Sequence, residues 1–220
     1  MTKYKKLLEV LKYIYWFVLK RSNFSQSHEE KIILDLFKNK KNGFYLDVGC
    51  HHPKRFSNTA SLYKKGWKGI NIDPNRSNLK LFNLFRKRDV NLCYFVSDKE
   101  KKFDYHIFDD SALNGNIKKE RLSILQKMGY EIKKVKKVKS ITLNKILETH
   151  SESFNNIDLL DIDVEGHDFE VLKSIDLNIH KVNVILIEVA SNELEIDSYL
   201  QKHDYKSYIL VDRNKFYIKN

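Results

Sequence analysis

The sequence predicts an α/β domain built on a mostly parallel, doubly wound sheet with an antiparallel end. Three observations predict it. Strand-like segments alternate with segments of helical period along most of the chain, the pattern of βαβ units. The runs at 44–49, 157–162 and 182–189 are almost continuously apolar, as strands covered by helices on both faces must be. Two closing runs, 205–211 and 215–218, flank Asp212-Arg213-Asn214 and read as a hairpin.

The elements follow in order. Residues 28–37 read as a helix with Ile32, Ile33, Leu36 and Phe37 on one face. Ser27 offers it a cap, and Glu29 and Glu30 suit its positive N-terminal end. Asn42-Gly43 breaks the chain before the first strand, which ends in Asp47-Val48-Gly49. Ser57-Asn58-Thr59 caps a short helix through Lys65, closed by Gly66. A second strand over 67–72 ends at Asp73-Pro74, and 77–88 reads as a helix carrying Leu81, Phe82, Leu84 and Phe85. A third strand over 91–96 ends at Ser97-Asp98. The middle, 99–139, carries weaker signals: a strand at 105–108 and a loop at 109–115. Residues 142–149 form a short helix, and the strand at 157–162 runs straight into Asp163-Val164-Glu165-Gly166. A helix over 169–175, the strand at 182–189 with Glu188 near its end, and a helix over 193–202 lead to the hairpin.

At 220 residues the chain suits one ordinary domain and is short for two. The domain is expected over 25–220, preceded by a helical segment over 1–24. Hydrophobic content of 42% allows a large core, so disorder is not expected. The formal net charge is +11, which attracts anionic partners such as nucleic acid, phosphates or acidic lipid heads. The basic residues are spread along the whole chain, so a solvated basic surface is favoured over a nucleic-acid patch. Cys50 and Cys93 show no zinc or disulfide spacing, and a reducing, cytoplasmic setting follows. Residues 13–19, Y-I-Y-W-F-V-L, are far fewer than the ~20 a membrane span needs, and no signal-cleavage site follows them. Two readings remain: a helix packed on the core, or a basic aromatic helix lying on a membrane surface with Trp16 and Phe17 inserted.

In open α/β sheets ligands bind beyond the carboxyl ends of the strands. Here those ends bear Asp47, Asp73, Asp98, Asp163, Glu165 and Glu188. Carboxylates gathered at one edge are costly unless a cation or hydrogen-bond donors share the space. Asp73 suits a ribose diol, or else is a plain turn acid before Pro74. Gly49 lets backbone approach a ligand, but Cys50-His51-His52-Pro53 follows it in place of a second glycine. A dinucleotide pyrophosphate fits that loop poorly, whereas a sulfonium cofactor has no phosphate to cradle. Asp98 suits an adenine amino group or a strand cap. His51, His52 and His167 lie beside strand tips, and His167 is the first candidate for a general base. Asp161, Asp163 and Glu165 could hold Mg²⁺ through oxygens, with Asp161 expected to diverge from Asp163. No metal is assigned, because a substrate hydroxyl or an amine explains the acids equally well.

At these residues the sequence resembles the FkbM family of class I S-adenosylmethionine-dependent methyltransferases. The matching stretches are Ser25-Gln26 with Glu29-Glu30, G-F-Y-L-D-V-G-C-H-H-P at 43–53, S-N-T at 57–59 and G-W-K-G-I-N-I-D-P-N at 66–75. F-V-S-D at 95–98, S-I-T-L-N-K-I-L at 140–147 and I-D-L-L-D-I-D-V-E-G-H-D-F-E-V-L at 157–172 continue the match. The resemblance implies a Rossmann-like sheet of seven strands, the last antiparallel. It implies S-adenosylmethionine contacts at Asp47, Gly49, Asp73 and Asp98, to which His52, Asn58, Ser97 and Asp163 are added as neighbouring polar groups. It implies an active-site role near Asp163 and Glu165, with His167 beside them. Related members methylate hydroxyl groups of sugars and natural products, so a saccharide acceptor is expected. A nucleic-acid methylase is the alternative that the charge prompts, although no Pro-Pro loop of the amino-methylase kind occurs. A non-catalytic scaffold and a metallonuclease are further alternatives.

Overall fold

The computed structural model describes residues 24–109, 113–117, 119–150, 152, 156–189 and 192–220. The expected segment 1–24, with the aromatic run at 13–19, lies outside the described residues except for Phe24. Phe24 is buried, and its carbonyl accepts the Ser57 amide at 2.9 Å.

Among the described residues the main sheet has seven strands. In chain order they are β1 (Phe44–Val48), β2 (Lys68–Ile72), β3 (Val90–Leu92), β7 (Ile157–Ile162), β8 (Val182–Glu188), β9 (Tyr205–Val211) and β10 (Asn214–Lys219). Their spatial order is β3-β2-β1-β7-β8-β10-β9. β1 pairs in parallel with β2 and β7, and β7 with β8, while β10 runs antiparallel to both its neighbours. The expected mostly parallel sheet with an antiparallel end is therefore present, and strand order reverses at β1 and β7.

Alternation along β1 explains how the sheet is covered. Leu46 and Val48 join one core with α5 (Leu143–Thr149), α6 (Asp168–Leu172) and α7 (Glu193–Gln201). Tyr45 joins the other, with α1 (Glu29–Leu36) and α2 (Ala60–Lys64). Helices thus lie on both faces, as continuous apolar strands require. Trp67 is fully buried in the second core and meets Phe37 edge-on at 5.0 Å and 67°. Such an aromatic pair adds about 0.5–1.5 kcal/mol beyond its area burial. α3 (Arg76–Phe85) starts at Asn75, whose side chain accepts the Ser77 amide.

Several expectations need correction. Ser27 does not cap α1; the Ser25 hydroxyl accepts the Glu30 amide instead, at 3.1 Å. Ser57 and Thr59 do not cap α2, because their oxygens serve Arg86. The single third strand is two: β3 pairs with β2, the chain leaves the sheet at Cys93-Tyr94, and β4 (Phe95–Val96) pairs with β6 (Ile132–Ile141). β6 also pairs antiparallel with β5 (Lys102–Phe108), giving a second sheet of order β4-β6-β5. α4 (Lys119–Lys127) packs Leu125 against Phe108 and Ile117 beside it. Among the described residues no helix is long and apolar enough to cross a membrane.

Candidate functional site

A cleft opens beyond the carboxyl ends of β1, β2 and β7, at the reversal of strand order. Gly49, Asp73, Asp163 and Glu165 line it. Tyr94, together with Phe95, Val96 and Tyr105 of the small sheet, forms an aromatic and apolar wall.

Asp73 is held rigidly. One carboxylate oxygen accepts the Asn75 amide at 2.6 Å; the other accepts the His51 amide and the Asn78 side chain, both at 3.0 Å. Burial nonetheless raises its pKa, against the pull of those donors. Asp163 is half-buried where the chain leaves β7, and its amide donates to the Val48 carbonyl at 3.0 Å. Burial, followed by the charges of Glu165 and Glu188, lifts its carboxyl well above the usual range. Glu165 pairs with Arg121 of α4 across the cleft's edge.

Strain collects at the same place. Five described non-glycine residues have positive φ: His51, Phe56, Glu165, Asp204 and Asp212. The first three line the cleft, whereas the two aspartates sit in turns that their side chains tolerate. A strained residue costs about 1–3 kcal/mol and persists where the surroundings over-determine it, as binding sites do.

Beneath the cleft floor, Asp47 does not reach the cavity lining. It points to the α2 face, where its carboxylate accepts the Thr59 hydroxyl at 2.6 Å. Burial pushes its pKa up to about 6, with nearby Arg86 pulling the other way. Arg86 is 1% exposed. It donates to the Pro53 carbonyl from two nitrogens, and to the Ser57, Thr59 and Tyr45 oxygens. Tyr45 donates to Asp89 at 2.5 Å. This buried network fixes the 50–57 loop that carries His51 and Phe56 into the cleft. Arg86 escapes detection in the sequence because Arg86-Lys87-Arg88 reads as an ordinary solvated basic run.

Other expected residues also lie outside the cleft lining. His52 Nδ1 accepts the Lys54 and Arg55 amides, and burial, then His51, lowers its pKa to about 4. Asn58 donates to Asp161 at 3.3 Å, on the α2 face and apart from Asp163. Ser97 donates to Asp98 at 3.2 Å, and Asp98 lies 3.8 Å from Lys173. His167, expected as the base, also lies outside the cleft lining. The ring is 6% exposed, packs on Phe95 and Phe103, bonds Ser97 Oγ through Nε2 at 2.9 Å, and turns Nδ1 toward Glu170. The carboxylates at the β7 tip, not His167, reach the cleft.

Asp168 and Glu188, in contrast, come together with Asp163: one carboxylate oxygen from each lies within 4.8 Å of the others. Asp168 accepts the Val164 and Gly166 amides at 2.8 and 2.9 Å, and burial with Glu188 nearby pushes its pKa up to about 7.

Residues 47–207 of the sequence match the family described as the methyltransferase FkbM domain. No curated protein matches the chain. Among solved structures, a TehB-like SAM-dependent methyltransferase from Corynebacterium glutamicum ATCC 13032 is similar at 8% identity with a TM-score of 0.48, covering 100% of each chain.

Proposed function

The chain belongs to the FkbM methyltransferase family and is a methyltransferase; from that premise we propose that its donor is S-adenosylmethionine and its acceptor a hydroxyl oxygen of a saccharide. The donor reading is carried by one observation: Gly49, Asp73 and Asp163 share a cleft with an apolar aromatic wall. That set matches the cofactor's parts. An ionised carboxylate offers about four acceptor positions. Protein donors fill three at Asp73, leaving one for a ribose hydroxyl. Asp163 and Glu165 supply negative charge for an ammonium and a sulfonium, and the wall of Tyr94, Phe95 and Tyr105 suits an adenine ring. Nothing after Gly49 forms a phosphate cradle, and this cofactor needs none.

When bound, the cofactor supplies an electrophilic methyl on a positively charged sulfur. The protein's part is positioning, which can account for much of such a rate. Asp163, which lines the cleft, accepts the hydrogen bond of the acceptor hydroxyl and takes its proton as the new bond forms. The network under the floor holds His51 and Phe56 at the opening.

The saccharide reading rests on the family and on the cleft's lining. Phe56 is 45% exposed there, a flat apolar surface for the C–H face of a sugar ring. Gln26, Asn78 and Asn114 offer amides to hydroxyl groups. A cytoplasmic setting and a membrane contact through residues 13–19 belong to the same proposal. Calorimetry with S-adenosylmethionine tests the donor, and methyl transfer to sugar nucleotides and oligosaccharides, against RNA, tests the acceptor. Absence of cofactor binding by the folded chain would sink the donor reading; transfer to RNA alone would sink the acceptor reading.

A further inference from the structure

We propose that Asp163, Asp168 and Glu188 bind a divalent cation of the hard, oxygen-preferring class beside the cleft. The fold builds the site from two neighbouring strand ends and one folded-back acid. β7 and β8 are parallel with Ile162 opposite Ile187, so the next residues along, Asp163 and Glu188, emerge together. Asp168 is returned to them by the turn at 164–167 and is locked by the two backbone amides it accepts.

The spacing suits a cation. Oxygens that share one Mg²⁺ or Ca²⁺ at 2.0–2.6 Å lie no more than about 5 Å apart. The three carboxylate oxygens here lie within 4.8 Å. A second, separate observation points to a missing partner. Glu188 is 5% exposed; one oxygen takes Arg213 at 3.1 Å, while Oε2 is buried with no hydrogen-bond partner. A buried carboxylate oxygen left unsatisfied is costly, and a metal ion removes that cost directly.

Charge points the same way. Three carboxylates facing one another, with a single guanidinium beside them, are costly to keep ionised together, and a dication offsets that cost. Three protein oxygens leave coordination positions for water, as Mg²⁺ in particular retains. Asp163 alone of the three lines the cleft, so the ion lies on the side from which an acceptor would approach. Binding of the ion does not depend on the acceptor's identity. Its further use, lowering the pKa of a bound hydroxyl, rests on the reading proposed above.

The test uses the full chain, stripped with chelator and free of cofactor. Manganese(II) is titrated and its free electron-paramagnetic signal followed, with Mg²⁺ and Ca²⁺ as competitors. The expected result is one saturable site, displaced by Mg²⁺ or Ca²⁺, and weakened on the order of tenfold or more in Glu188→Gln. Glu195→Gln, an exposed acid on α7, leaves it unchanged. Should Glu188→Gln fail to fold, the unmodified chain still decides: Mg²⁺ raises its melting temperature saturably, while KCl of equal ionic strength does not. No saturable manganese binding, or full binding by folded Glu188→Gln, overturns the proposal. Cofactor calorimetry on the stripped chain is a separate measurement, so failure of the donor reading and failure of the metal site are distinguishable.

Discussion

A β-carbon on Gly49 would stand 1.8 Å from the carbonyl oxygen of Asp163. The tips of β1 and β7 are therefore in direct backbone contact at the cleft, with Gly49 at φ +90°. No side chain fits and no flexible atom can yield. Gly49→Ala is expected to lose more than about 4 kcal/mol of stability, the range reserved for named structural faults. Urea denaturation checks this, and an alanine variant that unfolds at the parent's midpoint would refute the contact.

Asp73→Asn keeps the size of the side chain and removes its charge. It is expected to weaken S-adenosylmethionine binding about 10- to 100-fold, the value of a hydrogen bond to a charged group. Calorimetry gives the dissociation constant. An unchanged constant in the folded variant would show that the ribose is held elsewhere.

Arg86 compensates buried acids and cross-links the loop above them. Arg86→Met should cost about 3–5 kcal/mol, as removal of one member of a buried charge network does. Arg86→Lys should recover little of it, because an ammonium cannot reproduce the forked contacts to Pro53, Ser57 and Thr59. Equal stability of the lysine variant and the parent in chemical denaturation would contradict this role.

Asp47 gives a pH signature. Its folded-state pKa of about 6 exceeds the ordinary 3.8. The folded state then holds the proton more tightly, so the group favours folding below pH 3.8, and that contribution is lost as pH rises through 6. Asp47→Asn cannot ionise. Its stability relative to the parent is expected to increase by up to about 3 kcal/mol across that window and to level off above it. His52, lowered to about 4, slopes the opposite way in both proteins and cancels in the comparison. A pH-independent difference between the two curves would rule the shift out.

What could be read in the sequence was what local pattern encodes. β1, β2, β7 and β8 are compact apolar runs, and their acidic ends place Asp73, Asp163 and Glu165 at one edge. What could not be read depends on long-range pairing. Residues 91–96 look like one strand, yet whether Phe95 and Val96 continue beside β2 or cross to β6 is decided by Ser140 and Ile141, more than forty positions away. β6 itself, I-K-K-V-K-K-V-K-S-I, hides behind its lysines; it is a strand because β5 pairs along nearly its whole length. The same limit explains His167. Its place after the acidic tip suggested a base, but Phe95, Phe103 and Ser97 arrive from the other sheet and enclose it.

The insertion of β10 between β8 and β9 sets an order on biosynthesis. β9 precedes β10 in the chain, and β10 is the strand it pairs with among the described residues, so β9 joins the sheet only once β10 has paired with the edge of β8. The turn that joins them carries Arg213, so Glu188 lacks its guanidinium through the same interval. A chain in which β10 has yet to dock therefore leaves the β8 edge open and Glu188 without Arg213, and open edges of that kind favour aggregation.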